Sequence, residues 1–233
     1  MSKLVWDATG ERLYETGTKR GVLYPQNSDG SYAAGVAWNG LTAFTESADG
    51  GEPTDMWADD IKYLSIRSKE NFKGTIEAYT YPDEFAECDG SAYVIPGVKF
   101  GQQTRKAFGF SYVTTVGNDT EFEDHGYLIH LVYGATASPS EKSYTTINDS
   151  PEAITFSWEI TTTPVEVGKI NDVEYKPMAH IVIDSTKFTT EAAKAALTAF
   201  ENTLYGTDPE GQNAGTAPTL PTPAQVIMAL TVT

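Results

Sequence analysis

Apolar and polar positions alternate with period two along most of this chain. In "DIKYLSIRS" Lys62, Leu64 and Ile66 share one face while Ile61 and Tyr63 share the other. "NFKGTIEAYTY" sets Phe72, Ile76 and Ala78 against Lys73, Thr75 and Glu77. "KAFGFSYVTT" aligns Phe108, Phe110 and Tyr112, and "HGYLIHLVYG" places Tyr127, Ile129, Leu131 and Tyr133 opposite Leu128, His130 and Val132. "AITFSWEITTT" alternates Ile154, Phe156, Trp158 and Ile160 with Thr155, Ser157, Glu159 and Thr161, and "MAHIVIDS" supplies one more short run. Such runs, joined by polar connections, predict antiparallel β-strands, several with one face in water.

One segment changes period. "FTTEAAKAALTAFENTLYG" spaces Ala193, Ala196, Leu197, Phe200 and Leu204 as one helical stripe, with Thr189 or Thr190 as N-cap, Glu191 at the positive end and Gly206 as terminator. A shorter helical turn is predicted at "PDEFAECDG", with Pro82 at its first position. After the long helix, about 189–205, comes "GTDPEGQNAGTAPTLPTPAQ", a linker by composition, and then "VIMALTVT", apolar and β-prone. The expected organisation is one β domain over 1–205 followed by a linker and C-terminal arm over 206–233. The chain carries no internal repeat and no second core-sized region.

The stretch Glu46–Asp60, "ESADGGEPTDMWADD", reads as a loop because of Gly50, Gly51 and Pro53. It holds the acids Glu46, Asp49, Glu52, Asp55, Asp59 and Asp60 and no basic residue, with Met56 and Trp57 among them. Two large apolar side chains in an acidic loop have either a partner elsewhere or a place in their own core, Trp57 then opening the following strand.

Composition narrows the chemistry. The 233 residues include 32 Asp and Glu against 16 Lys and Arg, a formal charge of −16, so a surface that grips polyphosphate is excluded. Apolar residues make up 40%, enough for a substantial core. Cys88 is the single cysteine, which rules out an intramolecular disulfide. The first residues lack the apolar run of a secretory signal, and no stretch approaches the roughly 18 apolar residues of a membrane helix. A chain made in the cytoplasm, with no membrane partner, is expected. His125, His130 and His180 are the only imidazoles, and His130, inside an alternating strand, reads as structural. No nucleophile-elbow, phosphate-loop or zinc-protease pattern occurs, and the acids around Cys88 disfavour a thiolate. "NDTEFEDH" and the acidic stretch lack calcium-loop spacing and read as solvated loops. No enzyme activity, cofactor or metal is therefore expected.

Particular residues carry a family resemblance. "GVAWNGLTAFTES", the Gly-rich acidic loop, "ADDIKYLSI" and above all "AYTYPDEFAECDG", Ala78–Gly90, resemble the major tail tube protein of long-tailed, non-contractile bacteriophages. "LTAFENTLYGTD" and "PTLPTPAQVIMAL" resemble its closing part, so the likeness runs through nearly the whole chain in order. The resemblance implies two packed antiparallel sheets, a β-sandwich or barrel-like fold, with one amphipathic helix. It also implies hexameric rings that stack into a tail tube, with inner strands of neighbouring subunits joined around the lumen. The partners implied are further copies of the chain and the tail-end and tape-measure proteins of the virion. Double-stranded DNA would pass through without specific binding.

In that family the loop between the second and third strands reaches the adjacent ring. Carried over, it comprises Glu46, Asp49, Glu52, Asp55, Met56, Trp57, Asp59 and Asp60, with Met56 and Trp57 buried at the ring contact. Lys19, Arg20, Arg105 and Lys106 are candidate basic partners for its acids, and Glu77 and Glu159 candidate lumen-facing acids. Asn39-Gly40 departs from the pattern: it signals a hairpin where the resemblance calls for continuous strand. Two rival classes stand beside this reading, a secreted or surface carbohydrate-binding β-sandwich and another virion part such as a head decoration or tail-terminator protein.

Overall fold

The alternating runs form strands in a computed structural model that describes residues 3–147, 149, 152–170, 173–209 and 214–231. In chain order these are β1 (Tyr14–Pro25), β2 (Val36–Trp38), β3 (Leu41–Gly50), β4 (Pro53–Ala58), β5 (Ile61–Arg67) and β6 (Glu70–Ala78). The one-turn helix α1 (Phe85–Cys88) precedes β7 (Ala92–Ile95), β8 (Val98–Phe100), β9 (Phe108–Asn118), β10 (Phe122–Ala137) and β11 (Phe156–Thr162). The short β12 (Lys169–Ile170) and β13 (Val173–Glu174) lead to β14 (His180–Asp184), α2 (Glu191–Tyr205) and α3 (Pro223–Leu230). Every pairing is antiparallel, and the chain is mainly β.

Eight strands make one large sheet in the order β2-β1-β9-β10-β11-β6-β3, with β14 on β10 as a branch. The branch arises because β10 is long. Its Leu128–Val132 stretch pairs with β14, whereas Ala135–Ala137 pairs with β11. Between them Gly134 has φ +58, and a Cβ there would lie 2.4 Å from the Thr163 carbonyl oxygen. A side chain is excluded at that bend, so glycine lets β10 turn from one leaf into another. The leaves are β2-β1-β9-β10-β14 and β11-β6-β3, and they face each other. Phe44 of β3 stacks on Tyr112 of β9 at 4.2 Å, and Trp38 meets Trp158 edge-on at 5.6 Å. The two layers of the mainly β fold are thus halves of one folded sheet. Asn39-Gly40 is a corner rather than a hairpin, since β2 pairs with β1 and β3 with β6.

Two cores result. Between the leaves lie Trp38, Ile76, Phe85, Phe108, Phe110, Tyr112, Trp158 and Ile160. Behind the first leaf, Val22, Tyr24, Val113, Ile129, Leu131 and Tyr133 pack under Leu197, Phe200 and Leu204 of α2 and Val226 of α3. Strand β9 is covered on both faces, hence its nearly unbroken burial. Helix α2 starts as its sequence dictates, the Thr190 hydroxyl accepting from the Ala193 N–H at 3.2 Å.

The C-terminal segment corrects its sequence reading. Val226, Ile227 and Met228 are helical, not β, because Thr222 and Gln225 form a capping box with Pro223 in the first turn. These local bonds outweigh the β preference of Val and Ile, and α3 docks on α2 of its own chain. Positions 210–213 of the linker and 232–233 of the tail lie outside the described residues. Pro82 stands before α1 rather than in it, its carbonyl accepting from the Phe85 N–H at 3.0 Å. Among the described residues no helix is long and apolar enough to cross a membrane.

Candidate functional site

The stretch expected as an acidic loop is mostly strand. From Gly50 to Lys69 the chain extends the β3–β6 ribbon into a separate two-stranded arm, β4 paired with β5. At its root Gly50 has φ +86, and a Cβ would sit 2.4 Å from the Lys69 carbonyl oxygen. The Gly51 N–H donates to the Ser68 hydroxyl at 2.9 Å and closes the joint. At the tip Asp59 and Asp60 both adopt left-handed φ, 51° and 61°, between paired Ala58 and Ile61. That is a two-residue primed turn, which Asp tolerates better than most side chains. The tip acids are there for the turn.

Along the arm every residue of β4 and β5 is exposed. Met56 faces Leu64 and Thr54 faces Ile66 across the pair, and an irregularity between Met56 and Trp57 re-aims the indole. Trp57 is 68% exposed and Tyr63 69%, so neither packs in the core of its own subunit. Asp55 is held by Lys62 at 2.7 Å. Glu46 and Asp49 belong instead to β3, and Glu52 to the exposed joint. A two-stranded ribbon with this much uncovered apolar surface has little to stabilise it alone. The N-terminal segment adds exposed Leu4, Val5 and Trp6, anchored near Gly10, whose N–H donates to Asp119 at 2.9 Å.

Glu77 and Glu159 come together on the outward face of the second leaf. Glu77 lies opposite Ser157 and Glu159 opposite Thr75, which makes them diagonal neighbours on one polar surface with Thr45, Ser47 and Lys73. Lys73 is paired to Asp49 at 3.0 Å. The four basic residues divide. Lys19 and Arg20 are exposed at an irregularity in β1, with the Arg20 guanidinium over the Tyr205 ring at 5.8 Å. Arg105 donates to the Ala137 carbonyl at 2.9 Å and stands 4.0 Å from Asp89, while Lys106 pairs with Glu87 at 3.1 Å. Those two are engaged around α1 of their own chain.

A second cluster stands at the arm's root and was not anticipated as a unit. Glu46 points inward from β3 toward His130 of β10 and His180 of β14. Its Oε1 lies 3.1 Å from His130 Nδ1 and 3.6 Å from His180 Nε2, and those two nitrogens are 3.3 Å apart. The Tyr112 hydroxyl donates to the same carboxylate, and Thr114 Oγ1 meets His130 Nε2 at 3.1 Å. The His130 hydrogen bond, ahead of that from Tyr112, holds the Glu46 carboxyl down at about 2, and burial lowers His180. His130 is buried within β10 and hydrogen-bonded to Thr114, and its other nitrogen faces this cluster. These three side chains are the group that could hold a metal among the described residues. Sequence spacing gives no hint of them, since each comes from a different strand.

Cys88 is buried in the core between the leaves, and burial pushes its thiol up to about 12, which leaves it inert as a nucleophile. No protein-family model matches this chain, and no curated protein matches it.

Proposed function

We infer that this chain is a self-assembling structural subunit, and that its assembly is a bacteriophage tail tube of stacked hexameric rings. The observation that carries the reading is the β4–β5 arm. It projects on the order of 30 Å from Gly50 to Asp60 at ~3.4 Å per residue, with Met56, Trp57, Ile61, Tyr63, Leu64 and Ile66 uncovered. Isolated ribbons of this kind gain stability by burial against another chain, and Trp, Tyr and Met are favoured in such contacts. A copy in the next ring is the partner proposed.

Further support comes from the edges and the charge. Strand β3 borders the sheet with one side unpaired, and an exposed edge invites a neighbouring strand. Repetition of such a contact about an axis closes a ring. The resemblance carried by "AYTYPDEFAECDG" points the same way, and in the structure Tyr81, Phe85 and Cys88 from that motif pack with Trp158 and Phe108. With Glu77 and Glu159 toward the bore, duplex DNA would slide past without the cation contacts that hold it. The role is passive, ejection of DNA through a conduit, with no catalysis.

Negative-stain microscopy of concentrated protein, beside sedimentation velocity over a concentration series, tests this reading. Rings or long tubes of uniform bore are expected. A chain that remains monomeric at high concentration, with and without a tail-initiating complex, overturns it.

A further inference from the structure

We propose that Glu46, His130 and His180 form a zinc site, a carboxylate and two imidazoles with one coordination position open. The three facing atoms lie 3.1, 3.3 and 3.6 Å from one another. Ligands about 2.0–2.1 Å from a tetrahedral zinc are separated by ~3.3–3.4 Å, whereas octahedral neighbours would be separated by ~2.9–3.0 Å. The observed triangle has the tetrahedral size. Two nitrogens and one oxygen also suit zinc rather than calcium or magnesium, which take all-oxygen shells.

The surroundings are those of a prepared site. Thr114 at His130 Nε2 occupies that nitrogen and leaves Nδ1 to face the centre. The Tyr112 hydroxyl fixes the carboxylate. Outer partners of this kind set ligand orientation in metal sites. The rings are clamped as well: Tyr112 lies flat on His130 at 4.4 Å, and Phe72 on His180 at 4.4 Å. Both histidines are largely shielded, while Glu46 and His180 border an open cavity of about 440 Å³ lined also by Phe72, Pro164, Pro177 and Met178. That cavity gives the ion a way in and leaves room for water as the fourth ligand. Without metal, the 3.3 Å gap between the two imidazole nitrogens admits one hydrogen, and the other nitrogen presents a lone pair. Zinc takes its place, and the hydrogen is carried on the outer nitrogen of its ring, which for His130 is the Nε2 that faces Thr114 Oγ1.

The consequence is mechanical. Zinc would tie β3, at the edge of one leaf, to β10 and β14 of the other, four residues before the arm begins at Gly50. A cross-link there fixes the direction in which the arm leaves the body. The site stands independently of the assembly reading, since it needs only one chain.

Full-length protein stripped with chelator and titrated with zinc chloride in a calorimeter should bind one ion per chain. Cobalt in its place should give the intense visible absorption of a tetrahedral site. At free zinc near 100 times its dissociation constant the melting temperature should rise about 5–10 °C, with no rise for magnesium. Glu46→Gln and His180→Gln, each confirmed as β-folded by circular dichroism, should weaken zinc binding by at least about tenfold. The cobalt spectrum of the wild-type chain depends on no variant. Absence of stoichiometric zinc binding, a weak octahedral cobalt spectrum, or wild-type affinity in either variant overturns the site.

Discussion

Replacement of Trp57 by Ala separates assembly from folding more sharply than any other single change. The indole is 68% exposed in the subunit. With a Trp side chain near 250 Å², on the order of 170 Å² stays available for a partner to cover, an upper bound of ~4 kcal/mol at ~25 cal/mol per Å². Ordering costs and imperfect contact reduce that, so truncation should weaken association by about 2–4 kcal/mol, or ~30- to 700-fold in the association constant. Trp57 pairs across the arm with Lys62 and belongs to neither core, so subunit stability should shift by less than ~0.5 kcal/mol and the melting temperature by about 1–2 °C. Light scattering gives the critical concentration for tube growth, and differential scanning fluorimetry of the unassembled chain gives the melting temperature. The expected pair is a steep rise in the first and almost no change in the second. A fall of more than about 5 °C together with unchanged tube growth would place Trp57 in the fold of its own subunit and refute the reasoning.

Gly50→Ala should disorder the arm's root, because its Cβ would strike the Lys69 carbonyl at 2.4 Å in a left-handed backbone; faster amide exchange over 51–69 and impaired assembly are expected, and normal assembly would contradict this. Tyr24→Phe removes the hydroxyl that donates to the Leu204 carbonyl at 2.7 Å at the end of α2. The cost should be about 1–2 kcal/mol, a drop of roughly 2–8 °C on melting, and an unchanged melting temperature would show that water replaces the bond freely. Cys88, buried and with its thiol raised to about 12, should resist a disulfide reagent at pH 8 in the native chain and react stoichiometrically in denaturant. Rapid native labelling would show that the core between the leaves opens.

Strand periodicity made most of the sheet legible, because one face of β6, β10 and β11 meets a core and the other meets polar surroundings or a second layer. What stayed hidden were features set by distant contacts. Nothing local says that β10 changes leaf at Gly134, since the reason is the Thr163 carbonyl opposite. The arm departs from its loop signal because Gly50, Gly51 and Pro53 sit at its root, while Pro53–Ala58 finds a partner in Ile61–Arg67, itself strand-like in sequence. At the C-terminal helix the local signal is the one that decides. The Thr222–Gln225 capping pattern is present in the sequence, and it prevails over the β preference of the residues that follow. His130 and His180 could be read singly, but their meeting with Glu46 depends on three strands arriving at one point.

The distribution of charge gains a sharper meaning from the same placement. Several acids of the stretch expected as an acidic inter-ring loop have local duties. Asp59 and Asp60 make the tip turn, Asp55 and Asp49 hold Lys62 and Lys73, and Glu46 is enclosed by histidines. Around α1, Glu87 pairs with Lys106, and Asp89 with Lys142 at 2.5 Å. Glu77 and Glu159 make no ion pair among the described residues, and they share a face with hydroxyl side chains from β3, β6 and β11. A surface meant to let a polyanion pass needs uncompensated negative charge and no exposed lysine or arginine free to bind phosphate. Among the described residues the cation that β3, β6 and β11 place on that face is Lys73, and it is already held by Asp49. Within the proposed tube, the outward face of the second leaf is the one we propose for the bore, while Asp55, Asp59 and Asp60 of the arm serve its own geometry.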